Sequence, residues 1–254
     1  MSNFAVVTIN IGNTFARMAS LTLPYIKSYA NKIGADFVEI TEPMNIYNEY
    51  SAYWAKFQIR DLLDRYDRLI LLDLDVFVMP NCKNLFEVVP AEKFGALYET
   101  DYGLDFSKEI EQQNTRMPAI SWADNEYFNA GVMVVSACHK DVFTLFKGDD
   151  GGMKYPEQSL MNYKAKKHNI PTFHLDYRFN HMPYLNVSVD DRAYSGIIHY
   201  AAIAHQLREL IIAEDIFRYE NNITMTQGDV LRQFSAEFSH LEYHFQFDEM
   251  LEIT

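Results

Sequence analysis

Cysteine is scarce in this chain of 254 residues: Cys82 and Cys138 are the only two. Two thiols cannot staple a chain of that length, and no Cys-x-x-Cys pair is present. A disulfide framework and a zinc–thiolate site are therefore disfavoured, and a reducing, cytoplasmic setting is the expectation. Positive charge is also short, with Lys+Arg 22 against Asp+Glu 35 and a formal net charge of −13. Such an acidic surface argues against non-specific binding to nucleic acid or anionic lipid. Any phosphorylated ligand would have to find positive charge locally, from a metal or a few lysines. Long apolar runs are missing too: nothing approaches the ~20 residues of a membrane span. Met1–Val7 has neither the basic stretch nor the apolar length of a signal peptide. No repeat, low-complexity linker or Gly/Ser hinge is visible. The Asn-x-Ser/Thr matches at Asn186 and Asn222 read as chance in this setting.

Apolar residues are plentiful at 48%, and charged residues at 22% are ordinary, so global disorder is ruled out. The length suits one large domain, or one domain with an appendage. Phe4–Ile9 reads as a buried strand, followed by a polar loop containing Asn10, Gly12, Asn13 and Thr14. Phe15–Lys32 has helical spacing through Met18, Leu21, Ile26 and Tyr29. Pro24 within it predicts a kink or break, and Gly34 a C-terminal cap. A strand at Ala35–Ile40 completes strand, loop, helix, strand, the grammar of a parallel sheet with helices on its faces. A helix is expected at Ala52–Tyr66, with Trp54, Phe57, Leu62 and Leu63 facing the core. Strands are expected at 69–72, resuming at 76–78, then at 94–99, 129–136, 170–174 and 197–200, with a helix at 156–167.

Four features carry possible chemistry. Leu69–Leu72 delivers Asp73-Leu74-Asp75 to the end of a buried strand. Period-2 alternation would put both carboxylates on one face at the sheet edge where α/β folds hold ligands. Two hard oxygen donors suit Mg²⁺ or Mn²⁺. The bland alternative is a capped strand end. Tyr127-Phe128-Asn129-Ala130-Gly131 leads into Val132–Val135; its small residues allow a close approach to the backbone, or simply a tight turn into a strand. Pro156-Glu157-Gln158 is an ordinary helix start, yet it would set an acid and an amide at the mouth of a pocket. His199 ends an apolar strand; it is either a satisfied core histidine or a third ligand beside two carboxylates. Lys164, Lys166, Lys167 and His168 read as a solvated helix face.

In this order the pieces resemble glycosyltransferase family 8, the group that includes glycogenin and lipooligosaccharide galactosyltransferases. The likeness runs from Val6 to about His205. It rests on LLDLDVFV at 71–78, YFNAGVMVV at 127–135, EQSLMN at 157–162, FNHMP at 179–183, His199-Tyr200 and the lysine Lys56 ahead of the acid pair. The resemblance implies a GT-A fold, a Rossmann-like αβα sandwich with a mixed, mainly parallel sheet. It also implies a metal-dependent retaining transferase that moves a hexose from a nucleotide-sugar, usually UDP-linked, to a glycan or other hydroxyl acceptor. Carried over by position, Asp73, Asp75 and His199 would hold Mn²⁺ (or Mg²⁺), with Leu74 between the acids. Thr8, Asn10, Asn13 and Phe15 would line the nucleoside pocket. Lys56, Asp124, Asn129, Ala130 and Gly131 would contact sugar or diphosphate. Glu157 and Gln158 would face the anomeric carbon, by covalent attack or beside an acceptor entering from the same face.

The chain departs from the family at its end. Ala202 replaces the usual glycine, His205 replaces the lysine that clamps the diphosphate, and Pro-Trp is absent. A catalytically weakened sugar-nucleotide-binding or scaffolding protein of the same fold is the alternative these changes keep open. A phosphatase carrying a similar acid pair is the other rival, but there the motif lies near the N-terminus and Gly-Thr or Gly-Val follows it. The expected domain spans 1–205. Residues 206–254, acidic and helix-leaning, would form an extension packed on it.

Overall fold

The computed structural model describes residues 3–42, 53–145, 155–183, 192–203 and 205–226. Strand β1 (Phe4–Ile9), helix α1 (Ala16–Lys32) and strand β2 (Asp36–Ile40) form as expected. Gly34 closes the helix in the left-handed region at φ 69°, so that its N–H and that of Ala35 reach back to Asn31 and Ala30. Pro24 does not break α1. The carbonyl it leaves unbonded is that of Ser20, which is exposed and open to water, so the missing hydrogen bond costs little.

The helix expected at 52–66 is largely a 3₁₀ segment, Tyr53–Gln58, ending in one α-turn, α2 (Ile59–Leu62). Trp54, Ala55, Lys56 and Phe57 are all buried. Four consecutive buried positions cannot share one face of any helix, so this segment is enclosed on several sides, with Lys56 turned in toward Asp73. Strands β3 (Arg68–Leu72) and β4 (Val76–Val78), helix α3 (Leu85–Val88), strand β5 (Phe94–Tyr98), helix α4 (Ser107–Arg116) and strand β6 (Phe128–Ser136) follow. Next come α5 (Pro156–Lys167), β7 (Thr172–His174), β8 (Ile197–His199) and α6 (His205–Glu220).

The central sheet has the order β2-β1-β3-β6-β5-β7. Parallel pairing joins β1 to β2 and β3, and β5 to β7; β6 alone runs against its neighbours β3 and β5. Alternate residues of the sheet serve two cores. Ala5, Val7, Leu69, Leu71, Met133 and Val135 face α5 and the 53–62 segment, while Val6, Ile70, Leu72, Val132 and Val134 face α1 and α3. The result is the expected three-layer αβα sandwich with a mixed, mainly parallel sheet.

β4 is not a resumption of β3. It leaves the main sheet and pairs antiparallel with β8, setting Val76 opposite His199. A third apolar cluster binds α1, this ribbon and α6 through Met18, Phe77, Ile198, Tyr200, Ile211 and Ile212. Beside it, the buried Arg192 donates from Nε to Asp215 at 2.7 Å and from Nη1 to the Met225 carbonyl at 2.6 Å. The Tyr200 hydroxyl reaches the same Asp215 oxygen at 2.8 Å.

Candidate active site

The sheet directions bring five elements to one edge. β1, β3 and β5 run parallel, so their C-terminal ends coincide, and antiparallel β6 begins there. Thr8, Asp73, Glu99 and Asn129–Gly131 therefore share that edge. The Asp73 N–H continues the ladder by donating to the Gly131 carbonyl at 2.8 Å.

Asp73 and Asp75 lie in the turn between β3 and β4 rather than on a continuous strand. Leu74 between them is buried in the third apolar cluster, and this anchors the turn. The β4–β8 ribbon carries His199 back to the acids. One ligand atom from each of Asp73, Asp75 and His199 lies within 4.8 Å of the others. Gly131 leaves the space this needs: a Cβ there would stand 2.2 Å from His199 Cε1 and 2.7 Å from Nε2. The close backbone approach expected at Gly131 is that of the imidazole.

Two cations face the acids. Lys56 Nζ donates to both oxygens of Asp73 at 2.9 Å and to the Ala130 carbonyl at 3.2 Å. Burial alone would lower the lysine's pKa, but Asp73, Glu157 and Asp75 outweigh it and hold the pKa raised, so the ammonium stays charged. Arg208, from α6, donates from Nη1 to Asp75 Oδ2 at 2.8 Å. Burial pushes the Asp75 carboxyl up, yet Arg208 and then His199 prevail and hold it well below the usual carboxylate range.

A relay of amides orients the imidazole. His199 Nδ1 and Asn180 Oδ1 are 2.8 Å apart, Asn180 Nδ2 donates to Asn129 Oδ1 at 3.0 Å, and Asn129 Nδ2 donates to Glu99 Oε1 at 2.6 Å. The Gly131 N–H donates to the same Asn129 Oδ1 at 2.8 Å, and a backbone N–H can only donate, so it fixes the oxygen end of that amide. Each amide must then present its NH₂ toward Glu99 and its oxygen toward His199, so Nδ1 carries the proton. Nε2 then faces Asp75 Oδ1 at 3.4 Å. Two lone-pair atoms facing each other need a positive particle, a proton or a metal cation, to stabilise them.

Glu99 has a second use as a probe. It is buried, its Oε2 has no partner, and burial lifts its pKa to about 7 despite the Asn129 hydrogen bond. With the folded value above the ordinary 4.5, the folded state keeps a proton that the unfolded chain releases. Stability is then lost as pH rises from 4.5 to about 7, by on the order of 3 kcal/mol. Glu99→Gln is expected to stabilise the protein near pH 8 and to leave it unchanged near pH 4.5. Urea unfolding at the two pH values checks this; an equal effect at both would show that Glu99 does not titrate in that window.

Glu157 and Gln158 open α5 and are buried, rather than standing at an open mouth. Gln158 Oε1 accepts from the Ala130 N–H at 2.9 Å, while Asn162 takes the Phe128 N–H at 2.8 Å and donates to its carbonyl at 2.9 Å. These bonds clamp the helix start to the start of β6. Burial raises the Glu157 pKa, with Lys56 the principal opposing influence. Lys164, expected in solvent, is buried and bonded to the Thr144 carbonyl, and Lys166 pairs with Glu126.

On the other side of the acids, Asn10 Nδ2 donates to Glu39 at 2.8 Å. Among the described residues, Thr8 Oγ1 and Asn10 Oδ1 are buried polar atoms with no partner. Asn13 is exposed in the loop before α1, and Phe15 packs against the third cluster. Asp124 falls in a 3₁₀ turn, and His205 opens α6; their side chains lie outside the described residues. Ala202 adopts a left-handed φ of 60°, a conformation that costs a non-glycine residue ~1–2 kcal/mol. Sequence reasoning assigned no role to Glu99, Asn180 or Arg208. Asn180 was visible in the FNHMP segment; Glu99 and Arg208 carried no local signal.

An αβα sandwich with an acid pair and an imidazole gathered at the sheet edge is the frame expected of the GT-A fold of glycosyltransferases. The sequence profile of Glycosyl transferase family 8 matches residues 6–205, and the chain belongs to that family. Among solved structures, the chain is similar to a glycosyltransferase involved in glycosylation of the major capsid of PBCV-1. The TM-score is 0.58 at 14% identity, over 83% of this chain and 99% of that one. It is also similar to the glycosyltransferase GlyE of Streptococcus pneumoniae TIGR4 (TM-score 0.55, 15% identity, 93% of this chain and 64% of that). The bifunctional WbbM matches with TM-score 0.55 and 17% identity, over 86% of this chain and 52% of its own. These likenesses carry the fold. No curated protein matches the chain in sequence.

Proposed function

We propose that this glycosyltransferase moves a hexose from a nucleotide-sugar, UDP-linked, to a hydroxyl of a glycan or other acceptor, with retention and with a divalent cation. The observation that carries the reading is the gathering of Asp73, Asp75 and His199 ligand atoms within 4.8 Å. Two carboxylate oxygens and an imidazole nitrogen form a donor set suited to Mn²⁺ or Mg²⁺. The Nε2 lone pair facing Asp75 fits the same need. Bound there, such a cation supplies Lewis-acid stabilisation to the departing diphosphate.

The rest is done by the chain's own groups. Set beside two bare carboxylates, a diphosphate would be repelled by several kcal/mol at an effective dielectric of about 20. Lys56 offsets the charge of Asp73 and holds it in place. Thr8 Oγ1 and Asn10 Oδ1, unpartnered and buried, offer hydrogen bonds to polar groups of a nucleoside. Glu157 and Gln158 supply a carboxylate and an amide oxygen to a sugar that becomes oxocarbenium-like as its bond breaks. Covalent attack and same-face entry of the acceptor both fit these two residues.

Purified protein incubated with a panel of UDP- and GDP-hexoses tests the reading. Slow cleavage of a UDP-hexose that requires added Mn²⁺ and stops with chelator is the expected result. Binding without cleavage across the panel would favour a non-catalytic sugar-nucleotide binder instead.

A further inference from the structure

The place of the family's diphosphate-clamping lysine is taken in this sequence by His205, at the start of α6. One turn further along the helix, Arg208 sends a guanidinium into the acid cluster. Nη1 donates to Asp75 Oδ2 at 2.8 Å, while Nε and Nη2 grip the Ile203 carbonyl at 3.1 and 2.7 Å. The side chain is mostly sheltered, at 17% exposure, next to an Asp75 side chain at 11%. We infer that Arg208 is the diphosphate-binding cation of this chain, standing in for the absent lysine from a different position on the helix. The inference rests on the nucleotide-sugar reading above and adds the residue that recognises the phosphates.

Three arguments support it. The first is charge balance. Asp73 and Asp75 are already matched by Lys56 and Arg208. A divalent cation added to these four groups makes their sum about two charges positive, of the sign a diphosphate needs. With Arg208 absent, half of that surplus disappears, and in a chain of net charge −13 no general surface potential replaces it.

The second is donor geometry. A guanidinium has five N–H groups. Three are engaged, by Asp75 and Ile203, which leaves one N–H on Nη1 and one on Nη2 in the plane of a group already held in place. The Ile203 grip fixes the group without consuming it. The third is the oxygen Arg208 uses. It bonds Oδ2 of Asp75, whereas the oxygen nearest His199 Nε2 is Oδ1. Arg208 therefore sits alongside the cation-binding side of the carboxylate, not across it, and can keep its place when that side is filled.

The experiment uses the full chain and two variants, Arg208→Gln and Arg208→Lys, with near-UV circular dichroism confirming that each folds. Calorimetry measures UDP and uridine binding with Mn²⁺ present, and electron paramagnetic resonance of free Mn²⁺ measures cation binding without nucleotide. Arg208→Gln is expected to weaken UDP binding about 10- to 100-fold while leaving uridine binding unchanged. Arg208→Lys should recover part of the loss, since it restores charge but not the planar set of N–H donors. Mn²⁺ binding in Arg208→Gln should be equal to the wild type or tighter, because a competing cation has left Asp75. Equal UDP affinity in wild type and Arg208→Gln would overturn the inference. So would weaker Mn²⁺ binding in that variant, which would make Arg208 a prop for Asp75 instead. A wild-type protein that binds neither UDP nor uridine would remove the nucleotide reading itself, and with it this assignment.

Discussion

Asp75→Asn is expected to lower Mn²⁺-dependent cleavage of the sugar donor by about three orders of magnitude and to leave a folded protein. The substitution keeps size and shape and removes only the charge. The amide oxygen can still accept from Arg208, and the NH₂ can donate to the His199 Nε2 lone pair, so both neighbours stay satisfied. What disappears is one of two anionic ligands in the cluster. The stability cost has a definite sign. Asp75 titrates below its ordinary value in the folded protein, so its ionised form stabilises the fold above the unfolded pKa, and that contribution fades only in strong acid. The variant lacks it at neutral pH. Replacing a charged acceptor by a neutral one costs about 1–2 kcal/mol, or roughly 5 °C in melting temperature for a chain of this size. A second readout separates chemistry from folding: Mn²⁺ should raise the melting temperature of the wild type and not that of the variant. Unchanged metal-dependent rates in Asp75→Asn would take the cation away from this turn.

The largest effect on stability is expected far from the acids, at Asp215. Its carboxylate is fully buried and shared by the Arg192 guanidinium and the Tyr200 hydroxyl, while Arg192 also holds the Met225 carbonyl. Asp215→Ala would take a buried carboxylate away from an arginine that is 2% exposed. Removing one partner of such a pair costs about 3–5 kcal/mol, because the remaining charge stays desolvated. The melting temperature should fall by roughly 10 °C. The consequence reaches the site, because α6 carries both Asp215 and Arg208, and Tyr200 directly follows His199. Loss of the anchor should therefore weaken nucleotide binding as well. Chemical denaturation of wild type and variant gives the direct comparison; a loss under about 1 kcal/mol would mean that Arg192 finds water or another acceptor when Asp215 is gone.

Local pattern was enough for much of this molecule. β1, α1, β2, β3, β6 and α5 follow from apolar runs, 3.6-residue spacing, Gly34 and Pro156, all signals contained within a dozen neighbouring residues. Segment 53–62 was misread because Lys56 is drawn inward by Asp73, so burial there does not follow a helical stripe. The same inward pull hid the burial of Lys164, whose ammonium finds a carbonyl.

The sequence by itself determined the family, the three-layer sandwich and the acid pair after an aliphatic strand, because each is written in short-range periodicity or in residue order. Alternation along a strand was the wrong reason for Asp73 and Asp75 to converge; a turn between two sheets sets them side by side. Only the tertiary structure decided what surrounds them. The antiparallel register of β4 on β8 puts His199 opposite Val76, next to the acids, and Gly131 leaves the imidazole room to stay. Packing of α6 on α1 brings Arg208 to Asp75 across 133 positions of chain. Contacts at that range depend on which surfaces bury one another, and no local spacing records it.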